Sequence, residues 1–459
     1  MMFDTVIRGG RVVTAEQGEF SADIGISEGK IAALLAPGAS ADTKTTIDAS
    51  GRVVMPGAID PHLHFCLVKK PIDDYDTETA AAAVGGVTTV IPYLLAQESY
   101  DKLYQETLDG AKQSAHVDYA FHYYINNDAQ LAEIPHYIAD HKVTSFKFYM
   151  PAREGEKTIL GEVHVDDGTM YDLFSMVAKY KDTVVCVHCE NIEVVWRLRD
   201  RIKASGRNDL AAWSDTRPPF VEAAAVRSML FFAQQTGANV HVVHLGSGAG
   251  LDEVRTGKRS FPETRISAET CPAYLLFDKN AQQGNLLKVV PPMQNKEDNE
   301  RLWQGLADGS IDCMGTDHSP SLRSMKQGTI WDARNNFTDV MVVLPIMISE
   351  GHCKRGLPLQ RIVELTSQKP AQLFGLYPRK GTLNVGADAD LNLIDLDWER
   401  TVKIEEFYTW ADFSVYEGMK LRGWPRLTMV RGTVVQRDGK LVGPKGHGQY
   451  LARVAAAKA

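Results

Sequence analysis

The 459-residue chain has only six cysteines. They are too sparse for a disulfide scaffold, so a reducing cytoplasm is the expected setting. Positive charge is not in excess either. Fifty Lys and Arg stand against 58 Asp and Glu, a net charge of −8. Such a surface has no basic field to attract a polyanion, and nucleic acid is not an expected partner. Long apolar runs are missing. The longest obvious one, residues 340–348, is about half of what a bilayer requires and contains Pro345. The opening MMFDTVIRGG lacks the apolar core of a secretion signal and reads as a strand entering a Gly turn, so neither a membrane anchor nor export is expected. Internal repeats are absent. What remains is ordinary globular composition, 44% hydrophobic and 24% charged. The length suits one large catalytic domain plus a smaller one.

Two textures alternate along the chain. Residues 1–54 read as short strands broken by turns at Gly9-Gly10 and Glu28-Gly29, and a similar pattern returns in 376–440, with a turn at Asp438-Gly439. Together they predict one small β-sandwich built from both ends of the chain. Between them, in 55–375, eight apolar and β-branched runs recur: 58–64, 87–93, 117–125, 145–150, 184–188, 239–245, 265–270 and 312–316. Stretches of helical character lie between most of them, including 77–83, 171–180, 221–235 and 299–307. Eight buried strands alternating with helices predict an α/β fold, a (β/α)8 TIM-like barrel. The Lys/Ala-rich tail within 441–459 is expected to fray or to touch a neighbouring subunit.

Barrels of this kind place reactive side chains at the C-terminal ends of their strands. The first run ends Asp60-Pro61-His62-Leu63-His64, and side chains two apart on a strand face the same way. His62 and His64 are therefore able to chelate one divalent ion, or simply to sit in the interior. In the fourth run Phe146, Phe148 and Met150 share one face and Ser145, Lys147 and Tyr149 the other, which points Lys147 inward. There it either pairs with a carboxylate or sheds its proton. A neutral amine can take up CO2 as a carbamate whose two oxygens bridge two metals. The fifth run ends at His188 and the sixth at His244. His241, three residues before His244, is expected on the opposite face in a structural role. Cys186 and Cys189 are expected to be buried small residues. The eighth run ends Gly315-Thr316-Asp317-His318, where Asp317 serves as metal ligand and proton carrier or as a helix cap. His318 is expected to face away from Asp317.

Taken together, these stretches resemble the metal-dependent amidohydrolase superfamily, in its cyclic branch of hydantoinases, dihydropyrimidinases and allantoinases. The resemblance rests on Pro56-Gly57-Ala58-Ile59-Asp60-Pro61-His62-Leu63-His64, Gly85-Gly86-Val87-Thr88-Thr89, Ser145-Phe146-Lys147, Val187-His188-Cys189-Glu190-Asn191, Val243-His244, Glu269-Thr270-Cys271-Pro272, Gly315-Thr316-Asp317-His318-Ser319-Pro320 and Val385-Gly386-Ala387-Asp388-Ala389-Asp390, in family order along nearly the whole chain. It implies a (β/α)8 barrel with a β-sandwich. It implies one metal held by His62, His64, carboxylated Lys147 and Asp317, and a second held by Lys147, His188 and His244, with Zn2+ as the expected ion. It also implies attack on an amide carbon by a metal-bridging hydroxide, with Asp317 moving the proton to the leaving nitrogen. Homotetramers are common in the family, and the apolar stretch 407–415 is a candidate interface.

The same resemblance orients the substrate reading. Hydantoinase-like relatives carry an oxyanion-binding Tyr five residues after the lysine; here that residue is Ala152, so either Tyr149 or Arg153 substitutes or, as the resemblance to allantoinases implies, the metals alone suffice. The ring-amide clamp would use backbone around Val290, before Pro291-Pro292, and around Asn335 or Asn336. Dihydroorotases place an Arg where this chain has Cys66, which argues against that activity. Opening of a small cyclic amide, imide or ureide is the expected reaction. Allantoin opening, hydrolysis of a non-cyclic amide, and a non-catalytic scaffolding relative are the alternatives.

Overall fold

The computed structural model describes residues 2–153, 157–158 and 161–458. The centre is a parallel barrel whose strands are Ala58–Leu63, Val87–Leu94, a split third strand (Asp118–Tyr119 and His122–Tyr124), Ser145–Tyr149, Val184–His188, Val240–Val242, Ile266–Thr270 and Cys313–Met314. The eighth strand returns to the first. Leu63 bridges His318 in parallel, the Asp317 N–H donates to the His62 carbonyl at 2.9 Å, and the His64 N–H donates to the His318 carbonyl at 2.8 Å. Sheet closure thus removes both edges. The helical stretches extend to Pro71–Val84, Asp167–Val177, Pro219–Thr236 and Lys296–Asp308.

Side-chain alternation explains the packing. Val185 and Val187 join the large apolar cluster beneath the helices, whereas Val184 and Cys186 join Ile59, Ile91, Tyr93 and Cys313 in a separate cluster inside the barrel. Lys147 pairs in register with Cys186 and so shares the inward layer. The third strand is broken at residues 120–121, where the Phe121 carbonyl accepts from Arg453.

The chain termini build two further sheets. A four-stranded sheet uses Phe3–Arg8, Asp23–Ser27, Lys30–Leu35 and Thr43–Asp48. A seven-stranded sheet interleaves Arg11–Thr14, Gly18–Ser21 and Val53–Pro56 from one end with Leu391–Ile394, Pro425–Val430, Thr433–Arg437 and Lys440–Leu441 from the other. Ile7, Ile24 and Ile26 of the first share an apolar cluster with Val12, Leu391 and Leu427 of the second.

Three expectations need correction. The C-terminal tail is docked rather than frayed: the Leu451 N–H donates to the Tyr119 carbonyl at 2.7 Å, and buried Arg453 donates to Ser145 Oγ at 2.7 Å. Ordering it satisfies backbone groups at the base of the barrel. The 407–415 stretch is not an open apolar surface, because Phe407, Phe413 and Val415 are buried in the protein's own core, with Phe407 stacked on Trp424. His241 points into the barrel, not away from it. Its strand ends at Val242, and His244 adopts a left-handed φ of 38°, which breaks the alternation between them. No helix among the described residues is long and apolar enough to cross a membrane.

Candidate active site

The strand ends converge on a cavity of about 410 Å3 whose wall includes His64, Lys147, His188, His244 and Asp317. His62 lies fully buried beside it. His64 Nε2 is 2.9 Å and His62 Nε2 3.3 Å from Asp317 Oδ1, while His188 Nδ1 and His244 Nε2 are 2.8 Å apart. Sequence-distant residues meet here because each sits at the same end of a different strand.

Carboxylates behind the ring fix how two of the imidazoles present themselves. Glu269 holds His62 Nδ1, and Glu190 accepts from His188 Nε2 at 2.7 Å. The opposite nitrogen of each ring is left facing the centre, an arrangement typical of metal-ligating histidines. His62 Nε2 is a buried nitrogen without a hydrogen-bond partner. Burial drives His62 down to about 4 and also lowers His188 and His244, the latter further through the charges of His188 and Lys147. The rings are thus neutral at pH 7, with lone pairs available. Asp317 behaves differently. Burial works to raise its pKa, but the hydrogen bond from His64 leads the opposing influences, the net shift is downward, and the carboxyl stays ionised. Asp317 occupies a left-handed φ of 57°, which turns its carboxylate out of the strand direction.

Lys147 is fully buried, its ammonium 4.7 Å from the centre of the Tyr93 ring. Among the described residues no carboxylate lies within ion-pair distance of it. Burial lowers it to about 8, so a reactive free amine is accessible near neutral pH. Six donors of this type, two of them with an unpartnered buried ring nitrogen (His62 Nε2 and His244 Nδ1), fit a pair of divalent cations.

Among the substrate candidates, Tyr149, Val290, Asn335 and Asn336 line the cavity, as does Ala152. Asn336 Nδ2 donates to Asp317 Oδ2 at 2.6 Å. Tyr149 stacks edge-on against His188, with ring centres 4.5 Å apart. Cys66 and Arg153 are not brought into the wall. The Cys66 N–H is tied to Asp74 at 2.6 Å, and the Arg153 guanidinium pairs with Asp167 at 2.6 Å. His318 faces outward as expected and bonds Glu78 at 3.0 Å.

Several contributors had no assigned role in the sequence reading. Asp60 accepts from the His62 and Thr316 N–H groups and from the Thr316 hydroxyl, locking the first strand to the eighth; burial pushes it up to about 8. Glu269 contacts His62 and also His241, at 3.1 Å. Arg217 reaches Glu190 at 3.2 Å and stacks 4.1 Å from the centre of a Trp213 ring. A polar residue at a buried strand end was the available signal for Glu269.

The model of the amidohydrolase family matches residues 53–435, most of the chain. The chain belongs to the amidohydrolase family. This amidohydrolase is 34% identical over 462 residues to an L-hydantoinase of Paenarthrobacter aurescens, spanning 98% of both chains. It is 32% identical to a D-hydantoinase of Geobacillus stearothermophilus, over 98% of this chain and 96% of that one. The solved L-hydantoinase (dihydropyrimidinase) from Arthrobacter aurescens superimposes with a TM-score of 0.92 at 33% identity, covering 98% of this chain and 100% of that one. An amidohydrolase cleaves carbon–nitrogen bonds, and membership implies a divalent metal centre.

The carboxylate behind His188 provides a direct check. Glu190→Gln is expected to weaken metal binding about 10- to 100-fold, because the ring loses the anion that orients it. Titration against a competing chelator reads the change.

Proposed function

We propose that this amidohydrolase hydrolytically opens a cyclic amide, imide or ureide of the hydantoin or dihydropyrimidine type. The observation that carries the proposal is the convergence of His62, His64, Lys147, His188, His244 and Asp317 on one cavity. His62, His64, Lys147 as its carbamate, and Asp317 would hold one ion. The Lys147 carbamate, His188 and His244 would hold the other, with Zn2+ the expected ion and Mn2+ or Co2+ also compatible with imidazole and carboxylate donors. Divalent ions bound there supply Lewis acidity to the scissile carbonyl and lower the pKa of water from ~15.7 to about 7.

The protein's own groups do the rest. Asp317 is held by His64 through Oδ1 and by Asn336 through Oδ2, so its carboxylate is aimed before substrate arrives. It accepts a proton from the attacking water and returns it to the ring nitrogen, which amide cleavage requires because an amide anion leaves poorly. Ala152 offers no hydroxyl for the developing oxyanion and Arg153 is engaged elsewhere, so that role falls to Tyr149, which lines the cavity, or to the bound ions alone. Backbone near Val290 and Asn335 borders the same space and is suited to clamp a ring amide.

The same proposal takes 55–375 as the catalytic unit and joins 1–54 to 376–440 as a small β domain. By family resemblance it takes the assembly as a cytoplasmic homotetramer. A substrate panel of hydantoin, dihydrouracil, allantoin, a cyclic imide and a linear amide tests the activity. Metal-dependent opening of hydantoin or dihydrouracil is expected. Activity confined to allantoin or to the linear amide would overturn the reading.

A further inference from the structure

The loop that carries Asn335 and Asn336 also carries Arg334, and all three residues line the cavity. Arg334 Nη1 lies 3.4 Å from Met325 Sδ, and among the described residues no carboxylate is within ion-pair distance of its guanidinium. Asp74 influences it only from further away and is itself held by the Cys66 N–H and the Trp410 indole. Arg217, on the same wall, differs: its charge is matched by Glu190 at 3.2 Å.

Behind Arg334 stand two buried lysines. Lys326 is buried, and its ammonium donates to the Arg334 carbonyl at 2.8 Å and the Lys288 carbonyl at 3.2 Å. Lys288, also buried, donates to the Ala333 carbonyl at 2.6 Å and lies 4.3 Å from the Trp213 ring centre. Both ammonium groups are satisfied by carbonyl oxygens, and among the described residues neither has a carboxylate in ion-pair range. Burial lowers both lysines, and Lys326 is pushed down further by Lys288 and Arg334. These bonds also fasten the loop, together with the Arg334 N–H to the Met325 carbonyl and the Asn336 N–H to the Lys288 carbonyl, each at 2.9 Å. The guanidinium is therefore carried on an anchored backbone.

A guanidinium that lines a cavity and has no carboxylate partner of its own keeps its donors available to an anionic ligand. Leu67, Leu95 and Val163 make other parts of the wall apolar, which suits the body of a ring and its alkyl carbons. Arg334 lies two residues from Asn336, the residue that orients the Asp317 carboxylate, and borders the same cavity without contacting that carboxylate. We infer that the substrate is a cyclic amide or ureide bearing a carboxylate substituent, which Arg334 recognises by a charge-assisted contact. This rests on the proposed ring-opening activity and specifies its substrate class.

The test compares hydantoin-5-acetate with its neutral isostere hydantoin-5-acetamide. For the metal-loaded wild-type enzyme, kcat/KM should favour the carboxylate by about 10- to 100-fold at low salt, and the ratio should shrink as salt rises. In Arg334→Ala and Arg334→Gln the ratio should fall to about one, and Arg334→Lys should restore part of it. A wild-type ratio near one overturns the inference, as does a ratio that survives both neutral substitutions. Calorimetry of the same two rings with Asp317→Asn, with and without Arg334→Ala, separates this claim from the activity. Carboxylate binding that depends on Arg334 without ring opening by the wild type defeats the hydrolase reading and keeps this one. Ring opening without Arg334 dependence does the reverse.

Discussion

Asp317→Asn is expected to lower kcat for ring opening by about 10²- to 10⁴-fold, the usual contribution of a positioned proton carrier. The amide keeps the shape and can still meet Asn336, but it cannot take a proton from water or give one to a leaving nitrogen. Single-turnover kinetics on an activated ring with a better leaving group should recover part of the loss, since proton return matters less there. Equal loss on activated and ordinary rings would mean that Asp317 acts through site geometry alone. The native carboxylate is well suited to the task, because His64 and the surrounding charge hold it ionised in a buried site.

Lys147→Met should abolish activity and leave the purified protein with less than about one equivalent of divalent metal, since a donor set that loses its bridging anion leaves its imidazoles without the charge that balances the cations. Elemental analysis reads the metal, and 13C NMR after loading with labelled bicarbonate should give a carbamate signal in wild type only. A pH dependence follows from the depressed amine. Lys147 titrates near 8 rather than near its ordinary 10.5, because burial disfavours the ammonium. The free amine needed for carbamate formation thus gains population as pH rises through 8, and reconstitution of metal-free protein should accelerate in that direction. A reconstitution rate that falls between pH 7 and 9, or full metal content in Lys147→Met, would remove the carbamate from the mechanism.

The barrel was readable because its signals are local. Period-two alternation put Phe146 and Phe148 on one side and Lys147 on the other, and the register of Lys147 with Cys186 bears that out. His62, His64, His188 and Asp317 were legible as a set: each alone has a structural alternative, but together they put chemically coherent groups at the same ends of different strands. The places where the pattern misled are those where the backbone leaves it. His241 was assigned outward by counting back from His244, yet His244 lies beyond the strand in a left-handed conformation. The Lys/Ala-rich tail looked disordered by composition, but Arg453 finds acceptors on Phe121 and Ser145 that no local reading could place.

From its sequence alone this protein was determined to be an α/β barrel with candidate metal ligands at one end, because side-chain period and strand-end polarity are written in neighbouring residues. Tertiary structure decided which groups stand behind those ligands and what else faces the substrate. Glu269 meets His62 across 207 positions, and Glu190 and Arg217 join through a loop. Arg334 borders the cavity on a loop that two buried lysines and backbone hydrogen bonds to Met325 and Lys288 hold in place. Such contacts depend on barrel closure, which sets distances between residues far apart in the chain, and no short-range pattern encodes them.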